Sequence, residues 1–237
     1  MRFFITIILC LFTLLSLGQV PNSMNSSDYG VILEQKYVNL DNGRDVKLSK
    51  IEGSPYLTKN YVSGKVIDTK KDNEINAGIR YNAYKDNFIL KMKGAEDTYT
   101  LPRKERYQYD YDGERYFIFI NEKLFKNTDN KYVIALVDKK DLKLYKRYSR
   151  RFKKGRDFKS SYNTDIPPKF IPKTIFYLKL GNNTFKEIEL KRRKVAHAFP
   201  PKYRKKIKSY IYDKRLKFKD ESAQNDLLRL LRYYLTL

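Results

Sequence analysis

From Val31 onward the chain is written in short runs of Val, Ile, Tyr and Phe that alternate with polar residues and are broken by turn pairs. That period of two is the mark of half-buried strands. It predicts strands over 61–67, 78–84, 88–93, 98–101, 107–111, 115–120, 132–137 and 142–148. The connectors Lys85-Asp86-Asn87, Gly94-Ala95-Glu96-Asp97, Asp112-Gly113 and Asp138-Lys139-Lys140-Asp141 are of hairpin length, and Asp-Gly supplies the positive φ that tight turns need. Residues 153–173 hold Gly155, Ser160-Ser161, Pro167-Pro168 and Pro172, which predicts a loop over the sheet. One more hairpin follows, 175–180 and 185–190, turning on Gly181-Asn182-Asn183. Successive hairpins predict a mainly β (α+β) fold, an antiparallel meander sheet or a half-barrel or sandwich.

Only the end turns helical. Residues 191–199 predict a short basic helix that stops at Pro200-Pro201, and Pro201 can open the next one. Tyr203, Ile207, Tyr210 and Ile211 then share a face at helical spacing. Asp220 or Ser222 is placed to cap a last helix whose apolar stripe is Leu227, Leu228, Leu231, Tyr234 and Leu235. The expectation is two to three short C-terminal helices packed on the β domain.

The first eighteen residues follow a different rule. Arg2 is their only charge, residues 3–15 are almost wholly apolar, and Ser16-Leu17-Gly18 precedes Gln19. A basic start, a short apolar core and small residues before the cut describe a secretory signal peptide cleaved between Gly18 and Gln19. The apolar run is shorter than the roughly 18–20 residues a spanning helix needs. The chain then divides into a signal peptide (1–18), a flexible polar leader (19–30), an antiparallel β domain (31–190) and a helical segment (191–237), with the mature protein periplasmic or secreted and without a transmembrane segment. Cys10, the only cysteine, departs with the signal, so the mature chain folds without a disulfide.

Charge adds an asymmetry. The chain carries a formal net charge of +23. Residues 19–145 hold 22 Lys and Arg against 19 Asp and Glu, whereas residues 146–237 hold 27 against 8. Such segregation suggests a face for an anionic partner: lipopolysaccharide, anionic lipid or polysaccharide, or nucleic acid bound non-specifically. Its densest part is 143–159, nine cations and one acid interleaved with Tyr145, Tyr148, Phe152 and Phe158. Charge attracts phosphates and aromatic faces stack on rings. On a strand, Lys146, Tyr148 and Arg150 share one face, and Arg147 and Arg151 the other. The anion-binding candidates are therefore Lys146, Arg147, Arg150, Arg151, Lys153, Lys154 and Arg156, joined from the helical segment by Arg192 and Arg193.

Catalytic signatures are sparse. His197 is the only histidine, which excludes multi-histidine zinc sites, and the chain has no P-loop, dinucleotide turn or HExxH. Asp110-Tyr111-Asp112-Gly113-Glu114 resembles a calcium loop, but Gln108 and Phe119 stand where ligands belong, so a hairpin turn is the better reading. No metal or cofactor is expected. The leading expectation is a non-catalytic binding or scaffolding protein of the cell envelope. Its rivals are a hydrolase of nucleic acid or polysaccharide with a carboxylate pair brought together only in space, and a structural assembly component.

Gly53-Ser54-Pro55-Tyr56-Leu57, Tyr61-Val62-x-Gly64, Ile79-Arg80-Tyr81-Asn82-x-Tyr84, Leu144-Tyr145-Lys146-Arg147-Tyr148 and Leu227-Leu228-x-Leu230-Leu231-x-Tyr233-Tyr234 occur in that order. The set resembles a family of uncharacterised exported proteins of Gram-negative bacteria. The resemblance implies a signal peptide, a β-rich body and a helical tail, with no assigned activity. Within it, Arg80 and Asn82 stand on a strand otherwise built for packing, where they need polar partners.

Overall fold

The computed structural model of the chain describes residues 30–31, 37–39, 45–119, 130–156, 166–219 and 221–237. The predicted signal peptide, the Gly18–Gln19 cleavage point and nearly all of the leader lie outside these residues. The strands are β1 (Gly30–Val31), β2 (Tyr37–Asn39), β3 (Asp45–Lys47), β4 (Val62–Asp68), β5 (Asn73–Asn82), β6 (Asn87–Lys91), β7 (Thr98–Thr100), β8 (Tyr107–Tyr111), β9 (Glu114–Phe119), β10 (Lys131–Lys139), β11 (Leu142–Lys153), β12 (Lys169–Leu180) and β13 (Lys186–Glu187). Two helices follow, α1 (Arg204–Asp213) and α2 (Ser222–Tyr234). No helix among the described residues is long and apolar enough to cross a membrane.

Among the described residues, eleven strands form one open antiparallel sheet in the order β1-β7-β6-β5-β4-β8-β9-β10-β11-β12-β13, and β2 and β3 pair by themselves. Two meanders thus meet where β4 pairs with β8. The turns obey their chemistry: Asp72, Asp86 and Asp112 take positive φ, as do Gly113 and Gly181.

The sheet curls strongly. Phe88 on β6 stacks on Tyr109 of β8 with ring centroids 4.1 Å apart, and Tyr81 on β5 meets Tyr116 of β9 at 5.5 Å. In both pairs the strands are three places apart in the sheet, which would be roughly 14 Å if it were flat. Curling therefore folds the sheet over its own aromatic side chains, a half-barrel in which Tyr81, Phe88, Tyr107, Tyr109, Tyr111, Tyr116 and Tyr132 are almost fully buried. At one rim the Arg150 N–H donates to the Ala83 carbonyl at 3.0 Å, so β11 reaches the end of β5.

A second core lies under the helices. Leu142 and Leu144 of β11, and Phe176, Leu178 and Leu180 of β12, pack against Ile207 and Ile211 of α1 and Leu227, Leu230 and Leu231 of α2. The inward face of α2 is Ala223, Asp226, Leu227, Leu230 and Leu231. Leu230 replaces Leu235 of the predicted stripe, which is 59% exposed just past the helix. The predicted helix over 191–199 is a turn ending in a 3-10 segment, Val195–Ala198.

The expected loop over 153–173 is shorter than the prolines suggested, because β12 begins at Lys169. Pro172 is tolerated for a geometric reason. It stands opposite Arg150, whose own N–H turns away to Ala83, so this pair exchanges no hydrogen bond and the N–H that proline lacks is not missed.

Candidate functional site

The long ribbon of β11 and β12 carries the basic run, and its two ends place the cations differently. Near the helices, Lys146 is buried and pointed at an acid remote in sequence. Its ammonium pairs with Glu114 and donates to the Tyr148 hydroxyl at 2.9 Å and to Gln224 Oε1 at 2.8 Å, which ties α2 to the sheet. Arg147 lies 3.9 Å from Asp86, whose carboxylate also accepts the Tyr81 hydroxyl. Burial opposes the charge of Arg147, but Asp86, Tyr81 and Tyr177 outweigh it and hold the guanidinium pKa above its ordinary value. The structure assigns both residues to the core rather than to an exposed anion-binding face. The Arg147–Tyr81–Asp86 cluster, the combination that would mark an enzyme if it opened on a pocket, has Asp86 at 2% exposure.

At the far end the same strand opens into a cleft of about 410 Å3 lined by Gly53, Ser54, Tyr56, Leu57, Thr58, Lys59, Arg80, Arg150, Phe170 and Pro172. Its floor follows from the register. Arg150 pairs with Pro172 and Phe152 with Phe170, so alternate residues of both strands share one face.

The wall is the segment 51–57, strapped between two strands. The Glu52 N–H donates to Pro168 and the Glu52 carbonyl accepts from Phe170, both at 2.9 Å. The Leu57 N–H donates to Tyr81 at 2.9 Å, and the Pro55 carbonyl accepts from Tyr84 at 3.2 Å. Gly53 permits this path. Its φ is +79°, and a Cβ there would stand 3.1 Å from the Phe170 carbonyl oxygen.

Two guanidinium groups face this cleft. The Arg80 guanidinium lies over the Tyr56 ring, 3.7 Å from its centroid, with Tyr61 at 5.8 Å. A guanidinium held on an aromatic face is fixed in its orientation. Arg150 is half-buried, and burial alone lowers its pKa. Its guanidinium donates only to the Ser149 carbonyl, at 3.5 Å, and among the described residues it pairs with no carboxylate. A half-buried charge without a counter-ion is costly, and an anion in the cleft removes that cost. Lys59 adds a third cation, and none of the ten lining residues is acidic. Tyr56, Leu57, Phe170 and Pro172 make the rest of the lining apolar, and Thr58 is fixed by a 2.7 Å hydrogen bond with the Tyr111 hydroxyl.

The cleft therefore joins Arg80 and Arg150, which sequence reasoning considered separately. Asn82, next to Arg80 in sequence, takes a turn role: its Oδ1 accepts the N–H groups of Tyr84 at 3.1 Å and Lys85 at 2.9 Å. Arg151, Lys153, Lys154 and Arg156 are exposed along the strand end, and Arg156 exchanges backbone hydrogen bonds with Ile166. Arg193 is exposed, and Arg192 stacks on Tyr212 at 4.7 Å, away from this cleft. Lys59, Thr58 and the Phe170–Pro172 floor carried no binding signal in sequence. Tyr56 did, as part of the Gly53–Leu57 motif.

Comparison of the chain with protein-family models, curated proteins and solved structures finds no match.

Proposed function

We propose that this is an exported, non-catalytic binding protein of the cell envelope that holds an anionic group in the cleft between Arg80 and Arg150. The carrying observation is the half-buried Arg150 guanidinium, which has no carboxylate partner among the described residues and lines the same cleft as a second guanidinium fixed on Tyr56. The mixed lining favours a phosphate or carboxylate attached to an apolar or ring-shaped body, as in lipopolysaccharide, an anionic lipid or an acidic polysaccharide. Nucleic acid meets the same cations only as a generic polyanion. Binding is preferred to hydrolysis because none of the ten lining residues is an acid, a histidine or a cysteine, and the hydroxyls of Ser54, Tyr56 and Thr58 stand among cations. Export follows from the N-terminal sequence pattern.

The test is binding of the purified protein to lipopolysaccharide, anionic vesicles, DNA and a neutral glycan, each titrated with salt. Selective binding to one envelope component that persists near 0.15 M salt, where the Debye length is about 8 Å, supports the proposal. Equal, weak binding to every polyanion, lost steeply with salt, overturns it.

A further inference from the structure

A second cationic cleft opens beside the helical segment, built from residues the first one does not use. It has a volume of about 560 Å3 and is lined by Leu190, Lys191, Arg192, Lys217 and Lys219. Four of these five are cations. Glu189, which is not part of the lining, pairs with Lys191 at 2.8 Å and with Lys194 at 2.9 Å. Among the described residues, Arg192, Lys217 and Lys219 pair with no carboxylate.

Two features show that the cleft is held in shape. Arg192 is fixed by its guanidinium over the Tyr212 ring, 4.7 Å from the centroid. The facing loop carries strain: Arg215 and Phe218 adopt φ of 52° and 54°. For a bulky residue such as Phe218 that conformation is a true outlier, costing on the order of 1–3 kcal/mol, and strain of this kind clusters at ligand sites. The loop is locked by buried Asp226, whose Oδ2 accepts the N–H groups of Lys217 and Phe218, both at 2.9 Å, and the Ser222 hydroxyl at 3.2 Å. Asp226 is thereby committed to the backbone, and Lys217 and Lys219 extend from it into solvent on either side of the buried Phe218.

We infer that this cleft is a second anion site and that it takes a polyphosphorylated group, with Arg192, Lys217 and Lys219 supplying the contacts. A single phosphate dianion balances two cations, whereas three cations without a carboxylate partner among the described residues, and a shared fourth, match a diphosphate or a pair of neighbouring phosphates. A phosphorylated lipid headgroup and a free diphosphate present the same chemistry. The inference is independent of the Arg80–Arg150 cleft, since the two sites share no residue.

The experiment is calorimetric titration of the purified protein with inorganic pyrophosphate at about 0.15 M salt, on the wild type and three variants. The prediction is saturable binding that falls at least about tenfold in K217A/K219A, the loss expected when charge-assisted contacts are removed. R80A reports on the first cleft, and the exposed-lysine control K205A/K208A keeps wild-type affinity. Lys217 and Lys219 are exposed, so their replacement leaves the fold intact, which circular dichroism checks. Sedimentation with phosphatidylcholine vesicles carrying diphosphorylated lipid A separates the sources. Capture that pyrophosphate competes away identifies a headgroup, and pyrophosphate binding without capture identifies a free ligand; either outcome supports the site. Absence of pyrophosphate binding, or equal loss in K217A/K219A and K205A/K208A, overturns it. Loss in R80A alone would instead locate the anion in the first cleft and also overturn this assignment.

Discussion

Gly53 decides whether the wall of the first cleft can form. A side chain there meets two penalties together, a positive φ and a 3.1 Å approach to the Phe170 carbonyl. Gly53→Ala is expected to destabilise the protein by about 1–2 kcal/mol, the cost of a non-glycine residue in this region with a tight contact. Its larger effect should be on ligand affinity, because relief of the contact moves Ser54 and Tyr56, and with Tyr56 the platform under Arg80. Chemical denaturation and a binding titration on one variant separate the two effects, and unchanged binding would show that the strap does not shape the site. Sequence pattern marked Arg80 as a cation needing a partner. It could not name the Tyr56 ring as that partner, 24 positions earlier in the chain. Lys146 and Arg147 looked like surface charge for the same reason: Glu114 and Asp86 lie 32 and 61 positions away, and only the curl of the sheet brings them close.

At the scale of elements, the strands were legible because tyrosine and β-branched residues alternate with polar ones, and the Asp-led turns mark where each strand reverses. What escaped was the length of the β11–β12 ribbon, since the prolines near the start of β12 read as a loop until the register shows that Pro172 has no hydrogen bond to give up. The docking of α2 was legible as an apolar stripe but not in its polar part, where Lys146 reaches from β11 to Gln224. Lys146→Ala leaves Glu114, a quarter exposed, without its cation. Breaking a fully buried pair costs roughly 3–5 kcal/mol, so with that exposure discounted the loss should be about 2 kcal/mol. The double variant K146M/E114Q is expected to recover most of it, because no unpaired charge remains. Failure of the double variant to recover stability would show that Lys146 acts mainly through Gln224 and Tyr148.

For the whole molecule, the aromatic interior makes stability depend on keeping tyrosines neutral. Burial raises the pKa of Tyr81, Tyr109 and Tyr116 well above the ordinary value, and Tyr132 is pushed up to about 12. A folded-state pKa above the unfolded one gives stability that is complete below about pH 10 and is lost as pH rises through the folded value. Spectrophotometric titration should therefore show the buried tyrosines ionising only at about pH 12 or above, in one step that coincides with loss of near-ultraviolet dichroism. A single smooth ionisation centred near pH 10 with the fold intact would contradict the packing of Tyr81, Phe88, Tyr109 and Tyr116 described above.

The central claim is that a built cleft, and not the overall excess of positive charge, receives the anionic partner. The most direct measurement is lipopolysaccharide binding near 0.15 M salt by R80Q, R150Q, their double variant and the strand-end control R151Q/K153Q, which removes two exposed charges of the same run. The account predicts losses of about 10- to 100-fold for each cleft variant, as expected for removing a charge-assisted contact. It also predicts a combined loss smaller than the product of the two, because both groups hold one anion, and an unchanged affinity in the control. Equal losses in the control and the cleft variants would contradict it, leaving the cations of residues 146–237 as a diffuse electrostatic surface.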